Sequence, residues 1–141
     1  MEVQQIMKRN TVCVDRDETV AAAARLMGRC NIGALPVTDS RGKLCGILTD
    51  RDVTIRCVAA GKDPDKVLVR AVMSPAPHSL RPAQTCDEAA RSMLQNRVRR
   101  LPVTEQGRVV GIVSARDLSV IQESREAATQ ILGIPLKHDI S

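Results

Sequence analysis

The chain has 141 residues, with 21 Lys and Arg against 16 Asp and Glu, and not one Phe, Tyr or Trp. It contains no apolar run of about 18 residues or more, which excludes a membrane-spanning helix; it also lacks the aromatic platforms on which single-strand and RNA binders stack bases. The formal charge of +5 is spread thinly over both halves, with one cluster at Arg97, Arg99 and Arg100, so nucleic acid is not an expected partner beyond duplex-phosphate contact.

A hydrophobic content of 43% suffices for one compact globular unit. With no aromatic residue, the core must be filled by Val, Leu, Ile, Met and Ala. Five cysteines, Cys13, Cys30, Cys45, Cys57 and Cys86, stand far apart without a CxxC pair. That set predicts reduced thiols, most of them packed as small apolar groups, in a cytoplasmic protein with no disulfide frame and no metal site. Met1-Glu2-Val3-Gln4-Gln5 lacks the basic-then-apolar layout of a secretory signal.

In chain order, Thr11 to Val14 reads as a short extended segment, and Asp15 to Thr19 as a turn ending in a helix N-cap. Val20, Ala23, Ala24, Met27 and Cys30 recur at helical spacing and predict a helix over 20–30 that Gly33 ends. Leu35 to Thr38 and Lys43 to Leu48 predict a hairpin about the turn Asp39-Ser40-Arg41-Gly42. A second helix is expected from Thr49 to about Ala60, ended by Gly61, with Asp63-Pro64-Asp65 as linker. Val67 to Met73 reads as a short helix, Ser74 to Pro77 as a turn, and His78 to Leu80 as extended. Thr85-Cys86-Asp87-Glu88 opens a helix with a capping box. A hairpin then spans Leu101 to Thr104 and Arg108 to Val113, and a last helix runs from Ser114 to about Ala128.

The second half repeats the first. Ile6-Met7 answers Val72-Met73, Thr19 answers Thr85, and Leu35-Pro36-Val37-Thr38 answers Leu101-Pro102-Val103-Thr104. Gly46-Ile47-Leu48-Thr49-Asp50-Arg51-Asp52 answers Gly111-Ile112-Val113-Ser114-Ala115-Arg116-Asp117. The reading is two β-α-β-β-α units, residues 1–66 and 67–128, followed by a tail at 129–141 that has no twin. One such unit would be marginal alone, and pairing two copies through their sheets remedies that.

In both copies an apolar strand ends on a hydroxyl residue, with an aspartate three positions on. That pattern is a helix N-cap with an acid at its third position, sufficient in itself to start a helix. The free amides and dipole of such a terminus also suit an anion. No GxSxG, HExxH, P-loop or GxGxxG pattern is present, so no catalytic residue and no enzyme activity is expected. His78 reads as a strand residue and His138 as a tail residue.

These motifs, recurring in order and twice from about Ile6 to Ser124, resemble a tandem pair of CBS domains, the Bateman module of stand-alone bacterial type. The resemblance implies an α+β fold of two units packed sheet to sheet about a pseudo-twofold axis, with two clefts, and a homodimer of modules. It implies no required cofactor but an adenosine-containing regulator, AMP, ADP, ATP, NAD or S-adenosylmethionine, and a sensor role exercised through a separate effector protein. Residue by residue, Asp52 and Asp117 resemble the ribose-binding aspartates. Thr49 and Ser114 resemble the phosphate-facing hydroxyls, and Arg51, Arg116, Arg99 and Arg100 are further phosphate partners. Thr11, Val12, Ile32, Ala34 and Pro36 would hold one adenine, and Pro77, His78, Val98 and Pro102 the other. Where the second copy has Arg99-Arg100 the first has Gly33-Ala34, so the two clefts are chemically unequal. The alternative is a ligand-free dimerisation or protein-interaction module whose clefts are degenerate.

Overall fold

Helix α1 (Val20–Cys30) starts where Thr19 accepts the Ala22 amide at 3.1 Å, a cap that stabilises by about 1 kcal/mol. It ends as Asn31 turns left-handed. Its buried face, Val20, Ala21, Ala23 and Met27, lies on a sheet of four strands in the order β1-β2-β3-β4. These are β1 (Val14–Asp15), β2 (Ala34–Thr38), β3 (Leu44–Thr49) and β4 (Ser74–Pro75). β1 runs parallel to β2, while β2–β3 and β3–β4 are antiparallel. Ser74–Pro75 is therefore an edge strand and not the expected turn; the proline sits on an edge, where its missing N–H breaks no ladder.

This is a computed structural model, and it describes residues 1–75, 78–121 and 132–133. The mixed α+β fold agrees with the sequence. The last helix ends at Ser119, short of the predicted Ala128, with Val120 and Ile121 in a turn and a bend; residues 122–128, and all but two residues of the tail, lie outside the described residues.

The chain divides into two compact units, a central one, Val12–Pro77, and a terminal one made of Met1–Thr11 with His78–Ser141. They do not coincide with consecutive repeats: residues 1–11 belong to the terminal unit and residues 67–77 to the central one. In the central unit the 3-10 turn Val69–Ala71 closes the start of α1: Val20 donates to the Val67 carbonyl and Val69 to that of Glu18. In the terminal unit the 3-10 turn Val3–Gln5 does the same for α3 (Cys86–Asn96): Val3 donates to Gln84, and Cys86 to Met1. Of the predicted helix over Val67 to Met73, only the 3-10 turn forms.

The terminal unit is otherwise a copy. β5 (Arg100–Glu105) and β6 (Arg108–Ser114) form an antiparallel hairpin. Leu80 bridges to Val103 in parallel and Lys8 to Ile112 in antiparallel sense. Both hairpins carry an irregularity at the same place, Val37/Thr38 and Val103/Thr104. The turns differ as expected. In the shorter one Gln106 and Gly107 both have positive φ, the conformation of a two-residue primed turn. In the longer one Asp39 accepts the amides of Lys43 and Arg41, which hold its carboxyl below the usual aspartate value.

Each unit has its own aliphatic core. In the central one Val14, Val20, Ala23, Met27, Leu35, Val37, Leu48, Cys57, Val69 and Val72 pack together. In the terminal one Val3, Met7, Leu80, Met93, Leu101, Val103, Val113 and Leu118 do so. Of the cysteines only Cys57 and Cys86 are buried; Cys13 and Cys45 are partly covered and Cys30 is exposed. None of the five is in a disulfide, and burial pushes the thiols of Cys13 and Cys45 up, away from the thiolate.

Candidate functional site

β3 delivers Thr49 to the start of α2 (Asp50–Asp52), and β6 delivers Ser114 to α4 (Ala115–Ser119). Beyond Asp52 the helix widens to π form over Val53–Val58, reaching almost the predicted end. At each start the hydroxyl and the acid close on one another. Thr49 Oγ1 accepts the Asp52 amide at 3.1 Å, and Asp52 Oδ2 accepts the Thr49 amide at 2.9 Å. Ser114 Oγ accepts the Asp117 amide at 3.0 Å, and Asp117 Oδ2 accepts the Ser114 amide at 2.9 Å. The reciprocal capping box is thus built twice. At Thr85 the N-cap bond to the Glu88 amide also forms. There the Glu88 carboxylate accepts from Gln84 Nε2 and from the Thr85 hydroxyl, and these bonds, the one from Gln84 foremost, lower its pKa.

The loops predicted to line the sites lie against these helix starts. The Asp50 amide donates to the Gly33 carbonyl at 2.9 Å, and the Ala115 amide to that of Arg99 at 2.7 Å. Ala34 stands opposite Thr49 and Arg100 opposite Ser114. Pro36 and Pro102 are buried further along, opposite Ile47 and Ile112. Within the central unit the fold therefore gathers Ile32, Ala34, Thr49, Arg51 and Asp52. Within the terminal unit it gathers Val98, Arg99, Arg100, Ser114, Arg116 and Asp117. Thr11 belongs to the terminal unit, where its hydroxyl donates to the Lys8 carbonyl, and Val12 begins the central one. His78 is exposed, and Pro77 lies outside the described residues.

The two starts differ in charge. In the central unit Asp50 joins Asp52 in the first turn, and Asp50 Oδ1 already accepts the Arg51 amide at 2.8 Å. A Cβ on Gly33 would stand 3.0 Å from Asp50 Oδ2, so the glycine leaves that carboxylate its space. In the terminal unit the corresponding pair is Arg99 and Ala115: a cation takes the place of the glycine, and a methyl group that of the acid. Arg99 Nη2 donates to the Leu132 carbonyl at 3.2 Å, and Arg116 is exposed.

The aspartates differ too. Asp52 is only 3% exposed, with Oδ1 3.9 Å from Arg56 Nε. Asp117 is half-buried, and its Oδ1 has no partner among the described residues. Sequence reasoning missed Arg56 and Asp50. The available signal for Arg56 was an Asp–Arg pair at i, i+4, and for Asp50 an acid in the first helical turn.

A family model of the CBS domain matches the chain twice, over residues 3–58 and 69–122. The chain belongs to the CBS-domain family. The CBS domain-containing protein YhcV of Bacillus subtilis (strain 168) is 39% identical over 130 residues, 92% of this chain and 91% of its own. Hypoxic response protein 1 of Mycobacterium tuberculosis is 35% identical over 116 residues, 82% of this chain and 81% of its own. A crystal structure of hypoxic response protein I with two coordinated zinc ions superposes with a TM-score of 0.79 at 34% identity, over 86% of this chain and 98% of that one. The CBS domain pair of protein MJ0100, in complex with 5′-methylthioadenosine and S-adenosyl-L-methionine, superposes with a TM-score of 0.76 at 25% identity, over 89% of this chain and 98% of that one. Tandem CBS pairs are commonly regulatory ligand-binding modules. Among the described residues no group of three His, Cys, Asp or Glu side chains could hold a metal ion, and no helix is long and apolar enough to cross a membrane.

Proposed function

We propose that this CBS pair is a non-catalytic regulatory module whose two helix starts take the sugar and phosphate or equivalent substituent of adenosine-containing ligands. The observation that carries this reading is the hydroxyl–aspartate pair, held in the same geometry at both helix starts. Asp52 and Asp117 would accept both hydroxyls of a ribose, since a carboxylate offers two acceptor oxygens. Thr49 and Ser114 would face the phosphate, or the substituent that stands in its place, with the helix amides. Val12, Ile32, Ala34 and Pro36, or His78, Val98 and Pro102, would flank the base with aliphatic surface in place of aromatic rings. The ligand-bound MJ0100 pair supports the adenosine class. Homodimerisation and a separate effector belong to the same proposal.

The charge difference refines it. Asp50 and Asp52 disfavour an anion at Thr49 and suit a neutral or cationic substituent such as a thioether or sulfonium. Ser114, with Arg99, Arg100 and Arg116 near it and no acid at Ala115, suits a phosphate. The alternative, a module working with an empty site, is favoured at Thr49 by the burial and ion pairing of Asp52.

A thermal-denaturation panel of AMP, ADP, ATP, NAD, S-adenosylmethionine and 5′-methylthioadenosine tests the reading. A ligand at a hundred times its Kd adds about 2.7 kcal/mol, roughly 10 °C in melting temperature for a chain of this length. No rise with any of the six would refute ligand sensing.

A further inference from the structure

Arg56 lies outside the proposed ligand contacts, yet it touches the one candidate carboxylate that is buried. Its Nε is 3.9 Å from Asp52 Oδ1, and its Nη1 donates to the carbonyls of Val72 and Met73, at 3.2 Å each. One planar guanidinium thus spans from the helix start to the turn before β4. That turn is tightly placed. Val72 and Met73 donate back to the Val69 carbonyl at 3.1 and 3.0 Å, and Met73 Sδ lies 2.5 Å from where a Cβ on Gly46 would stand. β4 then pairs with Gly46 and Ile47. It is the last described stretch before the chain passes to the terminal unit at His78.

We infer that Arg56 is a positioning residue that couples the Asp52 carboxylate to the Val72–Pro75 turn and strand, so that whatever engages Asp52 Oδ1 alters the hold on β4. The trigger rests on the ligand reading above; the coupling itself does not. Asp52 Oδ2 already accepts the Thr49 amide, so Oδ1, the oxygen that faces Arg56, has the greater acceptor capacity left for a ribose hydroxyl. A donor arriving there weakens the guanidinium's attachment to the helix start. Two nitrogens of one planar fork, Nε and Nη1, make this bridge, whereas a lysine offers one ammonium on a flexible stem. The device is one-sided. The residue of the terminal unit that corresponds to Arg56 is Ile121, part of that unit's apolar core.

Amide hydrogen exchange of the full chain reads the coupling at Val72, Met73 and Ser74. Without ligand, Arg56→Gln and Asp52→Asn are each expected to speed exchange there several-fold. The double variant should do no more than the stronger single one, as for residues acting through one contact. Asp117→Asn should leave the equivalent amides of Met7 and Lys8 unchanged. Multiplying effects in the double variant, or an Asp52→Asn protein with wild-type exchange at 72–74, would overturn the inference. With AMP or S-adenosylmethionine saturating the wild type, exchange at 72–74 should change, and Arg56→Gln should bind the same compound without that change. A ligand-induced change that survives Arg56→Gln also overturns it, and this arm decides the matter if Asp52→Asn does not fold. If no compound binds, the ligand reading fails while the ligand-free variants still judge the coupling.

Discussion

Gly46→Ala is expected to destabilise the protein by about 1–3 kcal/mol, the range for forcing extra volume into a packed site. Gly111→Ala should behave alike. The added methyl on Gly46 would stand 2.5 Å from Met73 Sδ and 2.9 Å from the Ser74 carbonyl; on Gly111 it would meet Met7 Sδ at 2.5 Å and the Lys8 carbonyl at 3.0 Å. A methionine can swing aside, but a backbone oxygen held by strand pairing moves only with its strand. Removing the methionine as well, as in Gly46→Ala with Met73→Ala, should therefore not restore wild-type stability. Urea denaturation measures this. A wild-type midpoint for Gly46→Ala would mean that β4 does not pack against β3 as described.

A larger loss is expected for Leu35→Ala, about 2–5 kcal/mol. Leu35 and Leu48 stand opposite each other across the β2–β3 ladder and are both fully buried. The chain has no aromatic ring to rotate into the vacated volume, and neighbouring Val and Ala side chains are too short to fill it. The melting temperature should fall by roughly 10 °C or more. Val120→Ala, at a position 77% exposed, should stay within about 0.5 kcal/mol of wild type. Equal effects of the two substitutions would show that the aliphatic cluster does not carry the stability of the central unit.

Much of this was legible beforehand where local chemistry decides the outcome. Thr19, Thr49, Thr85 and Ser114 are N-caps because a hydroxyl after an extended residue can reach the third amide, and the repeat made each visible twice. The hairpins were likewise written in their Gly turns. What escaped depends on pieces distant in sequence. Val3–Gln5 closes on α3 and Val69–Ala71 on α1, with Met7 set against Gly111 and Met73 against Gly46, and periodicity within a window does not report such a fit. Ser74–Pro75 looked like a turn because proline dominates its local signal, while its pairing with Gly46 and Ile47 is a tertiary fact. The bridge from Asp52 through Arg56 to Val72 and Met73 is hidden in the same way. One aspartate is also more enclosed than its twin, a difference that two copies of the same motif conceal.

Isothermal titration of the full chain with AMP, comparing wild type and Asp117→Asn, tests the adenosine site most directly. The asparagine keeps one oxygen for the Ser114 amide but loses the charge and the second acceptor. Hydrogen bonds to a charged group contribute about 1.5–3 kcal/mol, so the variant should bind roughly 10- to 100-fold more weakly while melting within a few degrees of wild type. Undiminished affinity in Asp117→Asn, or a wild type that takes up no AMP, would contradict the account.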